Sequence, residues 1–152
     1  MEQDIKRKVK ILRIIARLNI GGPAIHTVLL TEGLDKKYFD SLLVTGKAAK
    51  CEGNMFEFAK SKSIEPIIIP QLERKISPIN DLIALFKILF LIKKEEPEII
   101  HTHTAKAGAL GRLAGMLYNA FSGHKKVILI HTFHGTVLQG YLVKLKQPFL
   151  PV

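Results

Sequence analysis

Two histidine pairs stand near the ends of apolar runs: His101-Thr102-His103 and His131-Thr132-Phe133-His134. Imidazole can donate, accept or carry a proton near neutral pH, so such pairs can hold a polar substrate, move a proton or ligate a metal. If the runs are strands, period-2 alternation sends His101 and His103 to one face. Ligands of open α/β sheets bind beyond the carboxyl ends of the strands, where His103 and His134 lie, and these two read as functional. His101 and His131 lie deeper and read equally well as core histidines hydrogen-bonded to backbone. All four are expected to converge on one crevice. Pairs spaced H-x-H and H-x-x-H on separate strands can hold zinc, but the neighbouring sequence supplies neither a carboxylate base nor a thiolate. No metal and no other cofactor is therefore expected.

A glycine loop borders the same crevice. Asn19-Ile20-Gly21-Gly22-Pro23-Ala24 follows an apolar run and opens a helical one. Residues without Cβ let the backbone of Gly21 and Gly22 approach a ligand, and a helix start with its positive dipole end suits a phosphate. A tight strand-to-helix turn would use the same glycines for geometry alone. A dinucleotide site is disfavoured, because the spacing is not G-x-G-x-x-G and Val44-Thr45-Gly46 lacks an acidic residue for a ribose. Lys106 after the first histidine pair, and Arg74 with Lys75 in a loop, are cations that either meet a bound phosphate or stand solvated. No G-x-S-x-G elbow is present, and Cys51 sits in a polar segment with nothing to activate it.

These residues need elements to position them. Five β-rich apolar runs, Val9–Ala16, Asp40–Thr45, Pro66–Ile69, Glu98–Thr102 and Lys126–Phe133, alternate with four segments of helical period. The helical segments are Pro23–Leu34, Asn54–Lys62, Pro78–Lys94 and Lys106–Phe121. Strand and helix in alternation specify α/β architecture, a doubly wound, Rossmann-like parallel sheet with helices on both faces. The first, third and fifth runs are apolar almost throughout and are expected to be covered on both faces. Ser77-Pro78 starts the third helix, Lys93, Lys94 and Pro97 end it, and Gly123 closes the fourth. In the third helix, Ile79, Leu82, Ile83, Phe86, Leu89 and Phe90 form the stripe expected to cover the sheet, leaving Leu85, Ile88, Leu91 and Ile92 in need of a partner.

The chain has 152 residues, 47% apolar and 24% charged, the composition and size of one globular domain. One cysteine makes no internal disulfide, which fits a reducing, cytoplasmic location. A net charge of +10 suits nucleic acid, anionic lipid or phosphorylated small molecules. Without zinc-finger spacing, aromatic-rich recognition strands or any Trp, a nucleic-acid partner is set aside. The second apolar stripe of the third helix, flanked by Lys87, Lys93 and Lys94, suits peripheral contact with an anionic membrane surface; a protein partner suits it equally.

In combination, Asn19-Ile20-Gly21-Gly22-Pro23-Ala24-x-His26, Glu65-Pro66-Ile67-Ile68-Ile69-Pro70, Ile76-Ser77-Pro78, Pro97 to Gly108 and His131 to Gly135 with Gly140-Tyr141 resemble the amino-terminal domain of bacterial family 4 glycosyltransferases. The resemblance spans about residues 9–146 in order. It implies one half-domain of the GT-B fold and retention of configuration at the transferred hexose. It implies a nucleotide-sugar donor, a glycan or lipid-linked acceptor, and no obligatory catalytic metal. Gly21 and Gly22 would approach the donor diphosphate, and His103 would lie beside the transferred sugar. The family's second domain, with its Glu-x7-Glu motif, has no counterpart in residues 1–152, so the chain is expected to be inactive alone. A non-catalytic interaction domain is the alternative.

Overall fold

The computed structural model describes residues 7–47, 53–73, 75–123 and 125–135. Cys51, Arg74, Gly140 and Tyr141 lie outside the described residues. The apolar first run becomes β1 (Val9–Arg17), in which Ile11 to Ala16 are buried without interruption. Such a strand needs cover on both faces and a neighbour at both edges, so it takes the centre. It pairs in parallel with β2 (Phe39–Gly46) on one side and β4 (Ile99–His103) on the other. Short β3 (Ile67–Ile68) and β5 (Ile128–Thr132) complete a five-stranded parallel sheet of order β3-β2-β1-β4-β5.

Each strand returns through a helix. On one face, α1 (Gly22–Glu32) and α2 (Phe56–Ser61) enclose Ile15, Leu18, Ala24, Val28, Leu43 and Ala59. On the other, α3 (Pro78–Glu95) and α4 (Ala105–Phe121) cover Leu12, Ile14, Val44 and Ile100. The sheet is therefore doubly wound and Rossmann-like, as expected. Helix α4 lies close to the strands because its sheet-facing row is glycine: a Cβ on Gly108 would strike His131, on Gly111 Thr102, and on Gly115 Leu129. Tight glycine spacing here sets the depth at which α4 sits.

Three local expectations are corrected. The third and fifth runs are not covered on both faces. They are the sheet edges, and Ile68, Ile128 and Ile130 are exposed, because α1 reaches only over β1 and β2. Gly123 does not close α4. The Ser122 N–H bonds Tyr118 O, the Ser122 hydroxyl donates to Lys125 O, and the Asn119 amide bridges both backbone groups of Val127.

The third correction inverts α3. Its buried residues are Ala84, Leu85, Ile88, Leu91 and Ile92, while Ile79 (75% exposed), Leu82, Ile83, Phe86 (63%) and Phe90 (69%) face outward. Apolar residues lie all round this helix, so periodicity alone cannot fix its phase. Packing against α4 decides it: Ala84, Ile88 and Ile92 are fully buried in the core that α3 shares with α4. The start and stop signals hold. Asp81 accepts the Ser77 N–H at 3.3 Å, and Glu96 ends the helix with φ 46°, its N–H on Ile92 O.

Candidate functional site

The order of winding reverses between β1 and β4, which opens a crevice beyond their carboxyl ends. Three chain segments reach it: the Gly21-Gly22 turn after β1, His103 at the end of β4 with Thr104 after it, and Phe133 to Gly135 after β5. Thr104 and Ala105 are shared by two cavities there. One, of about 240 Å³, is bordered by Ala16, Asn19 and Lys106. The other, of about 330 Å³, is bordered by Pro23, Arg112, His131 and His134. Thr104 itself carries strain, since a β-branched residue at φ 68° is a genuine outlier. Its Oγ1 is buried with no hydrogen-bond partner among the described residues.

His103 is fully buried. Its Nδ1 lies 2.9 Å from His134 Nε2, and its Nε2 has no partner among the described residues. The ring of His101 lies against it with centroids 4.2 Å apart, and His101 Nε2 bonds Thr132 Oγ1 at 2.8 Å. Another ring joins from α1: that of His26 is 5.2 Å from that of His134 and 6.0 Å from that of His103. His26 stands in the motif that carries the family resemblance, but a single exposed histidine on a helix has no strand-end position to mark it as a site residue. The available signal was its place four residues after Gly22, one helical turn from the glycine loop.

His131 borders the second cavity with His134, but its side chain lies on the other face of the sheet from His101 and His103. It pairs in register with Thr102 and shares that residue's face, against Gly108 of α4. The Thr102 hydroxyl donates to Ile130 O at 3.2 Å, so the 2.9 Å contact with His131 has the imidazole Nδ1–H donating. The expected four-histidine convergence thus becomes His101, His103 and His134 with His26 on one side, and His131 on the other.

Positive and neutral groups dominate the electrostatics. Arg13, in register with His101, is buried with Nε and Nη1 unpartnered among the described residues, and burial lowers its pKa to about 10. It remains a cation at neutral pH. Burial, then Arg13 and adjacent imidazoles, pushes His101 down to about 4. Burial, then His101, His134 and Arg13, pushes His103 down to about 3. His131 and His134 are lowered too, by burial first. His101 and His103 are therefore uncharged at pH 7: they can hydrogen-bond hydroxyls and ligate, but a group with a pKa near 3 is too weak a base for proton abstraction there.

The glycine loop is bare rather than strained. Gly21 has extended backbone (φ 161°) and a Cβ on Gly22 would meet nothing, so turn geometry requires neither glycine. What their small size leaves is access to the first N–H groups of α1, at its positive dipole end. Lys106 is already engaged: it pairs with Asp81 and donates to Lys75 O at 2.6 Å, which ties α4 to the start of α3.

Comparison with known proteins gives the same architecture a lineage. The family model described as Glycosyltransferase Family 4 matches residues 20–152. A UDP-Gal:alpha-D-GlcNAc-diphosphoundecaprenol alpha-1,3-galactosyltransferase of Escherichia coli is 36% identical over 78 residues, 51% of this chain and 19% of its own length. Among solved structures, a putative UDP-N-acetylglucosamine 2-epimerase from Listeria monocytogenes superposes with TM-score 0.61 at 19% identity, covering 83% of this chain and 31% of that one. A UDP-GlcNAc 2-epimerase from Neisseria meningitidis, bound to UDP-GlcNAc, gives 0.51 at 14%, covering 92% and 36%. At these identities the likeness shows fold alone. The chain spans about a fifth of the curated relative it matches and about a third of each structure.

Proposed function

The chain belongs to glycosyltransferase family 4, and on that premise we propose that it forms the acceptor-side half of a retaining transferase, moving a hexose from a nucleotide sugar to a glycan or lipid-linked acceptor. One observation carries the reading: an uncharged, buried His103 stands at the strand end of a crevice whose other wall is the bare Gly21-Gly22 loop. A neutral imidazole is a hydrogen-bond partner for a sugar hydroxyl, and the open N–H groups of α1 are partners for a diphosphate. His134 holds the His103 ring through Nδ1, which fixes its orientation. Lys106 and Arg74 are the cations assigned to substrate phosphate, Lys106 on condition that it leaves Asp81. The curated relative acts on a lipid-linked diphosphate sugar by its name, which supports a galactose donor and an acceptor of the same class for this chain in the building of cell-surface glycans.

Half a cleft cannot exclude water or surround a departing diphosphate, so residues 1–152 need a complementary carboxy-terminal domain for turnover. An acceptor anchored in lipid would place the protein peripherally at the inner face of the cell membrane. Support for that placement is the outward apolar face of α3, with Lys75 and Lys87 beside it and a groove of about 480 Å³ between α3 and β3. No helix among the described residues is long and apolar enough to cross a membrane.

The test joins residues 1–152 to the carboxy-terminal half of the galactosyltransferase relative and assays transfer from UDP-galactose to a lipid-linked N-acetylglucosamine diphosphate. The chain alone should show no transfer above buffer, and the joined protein should turn over. In the joined protein His103→Ala should lower kcat/KM by ~10²–10³, the scale for one transition-state hydrogen bond, with the circular dichroism spectrum unchanged. Turnover by the chain alone, or near-normal kcat/KM in the variant, contradicts the assignment. A folded joined protein with no transfer favours a non-catalytic interaction domain.

A further inference from the structure

Three imidazoles from three separate elements gather at the mouth of the crevice with little to hold them there. They are His26 on α1, His103 at the end of β4 and His134 after β5. One ring nitrogen of each lies within 4.8 Å of the other two. The only hydrogen bond among the three is the one between His103 and His134. His103 is fully buried. The titratable neighbours that act on His103 and His134 are Arg13 and other imidazoles, not carboxylates. An anion partner or a dense hydrogen-bond network is the usual reason for buried histidines to cluster, and the described residues supply neither.

We propose that His26, His103 and His134 form a binding site for one borderline divalent cation of the zinc class. A set of three imidazole nitrogens suits Zn²⁺, Co²⁺, Ni²⁺ or Cu²⁺; Mg²⁺ and Ca²⁺ need oxygen ligands that the cluster lacks. Zn–N bonds of ~2.0–2.1 Å in a tetrahedral site put ligating nitrogens roughly 3.3–3.4 Å apart. The 2.9 Å contact must open slightly and His26 must swing inward. His26 is exposed and His134 half-buried, so both are free to adjust while β4 holds His103 fixed. Coordination displaces the proton shared between His103 and His134, which moves to the far nitrogen of the ring that donated it, so that each ring ligates through one nitrogen and carries its one N–H on the nitrogen facing away from the ion. Three protein ligands leave an open position toward solvent, the arrangement of a replaceable rather than a sealed metal. On the transferase reading, an ion here would occupy the imidazole that the sugar needs and would inhibit transfer. The binding itself does not depend on that reading.

The experiment titrates ZnCl₂ into the full 152-residue chain in competition with a chromogenic chelator, and records the visible spectrum with Co²⁺. One equivalent of Zn²⁺ should bind, MgCl₂ should not, and Co²⁺ should give the intense bands of a four-coordinate nitrogen site. His26→Ala alone should weaken Zn²⁺ at least tenfold; it is exposed, so folding is not at stake. His131→Gln, on the other face of the sheet, should leave binding unchanged. Absence of stoichiometric binding overturns the proposal, as does binding that survives in the triple variant His26→Ala, His103→Ala, His134→Ala. Zinc binding without sugar transfer by the joined protein would remove the transferase reading alone; transfer without zinc binding would remove this site alone.

Discussion

Neutral imidazoles at this depth make the protein sensitive to acid. His103 and His101 have folded pKa values of about 3 and 4 against an ordinary 6.5. Between those limits the unfolded chain binds more protons than the folded one, so stability rises with pH through the window. The contribution is complete above about 6.5 and is lost as pH falls toward 4 and 3. Glu98 belongs to a lower range. Burial raises it, but the Lys10 N–H, Arg7 and Lys125 outweigh that and hold it below 4.5. Loss of stability between pH 6.5 and 4.5 is therefore a histidine effect. Urea midpoints measured across that interval should fall steadily, and His103→Gln should flatten the slope; a slope unchanged in that variant contradicts the assignment. His103 and His134 were legible in the sequence because a strand end is a position that pattern reveals. His26 and the side taken by His131 were not, because which helix face leans over a strand end, and how β5 registers on β4, are set by packing between distant segments.

Among the elements, α4 and α3 test opposite aspects of packing. Gly111→Ala gains about 1 kcal/mol in helix propensity, yet its Cβ would stand 2.6 Å from Thr102 Cγ2 and 3.2 Å from Ile14 Cδ1. Overpacking of this kind costs ~1–3 kcal/mol, so the variant should melt lower. Gly22→Ala meets nothing and should leave the melting temperature unchanged or slightly raised. A higher melting point for Gly111→Ala would show that α4 can move off the sheet. For α3, Phe86→Asp with Phe90→Asp should abolish sedimentation with anionic vesicles and leave the fold intact, whereas Ile88→Asp should unfold the chain, because Ile88 is fully buried. Equal recovery of the parent protein with neutral vesicles would remove the lipid assignment. Strand and helix limits were readable to within a few residues because Gly, Pro and charge mark them. The phase of α3 was hidden because its apolar residues lie all round. The edge positions of β3 and β5 were hidden because an apolar run has the same composition at an edge as at a centre.

For the molecule as a whole, the sheet order decides when the core can close. β1 takes one neighbour from residues 39–46 and the other from residues 99–103. A ribosome makes the chain from its amino end at about 5–20 residues per second, so roughly 3–10 s separate the arrival of β2 from that of β4. Throughout that interval the most deeply buried strand presents an unpaired edge, and Ile14 has no α4 to cover it. A nascent chain in this condition is a client for chaperones that shield strand edges, and a pause in translation before Ile99 prolongs the exposure. A fragment ending at Glu96 should scatter light at concentrations where the full chain stays clear; clear solutions of both would show that β1 and β2 close without β4. The central placement of β1 thus makes the yield of folded protein a matter of synthesis rate as well as of sequence.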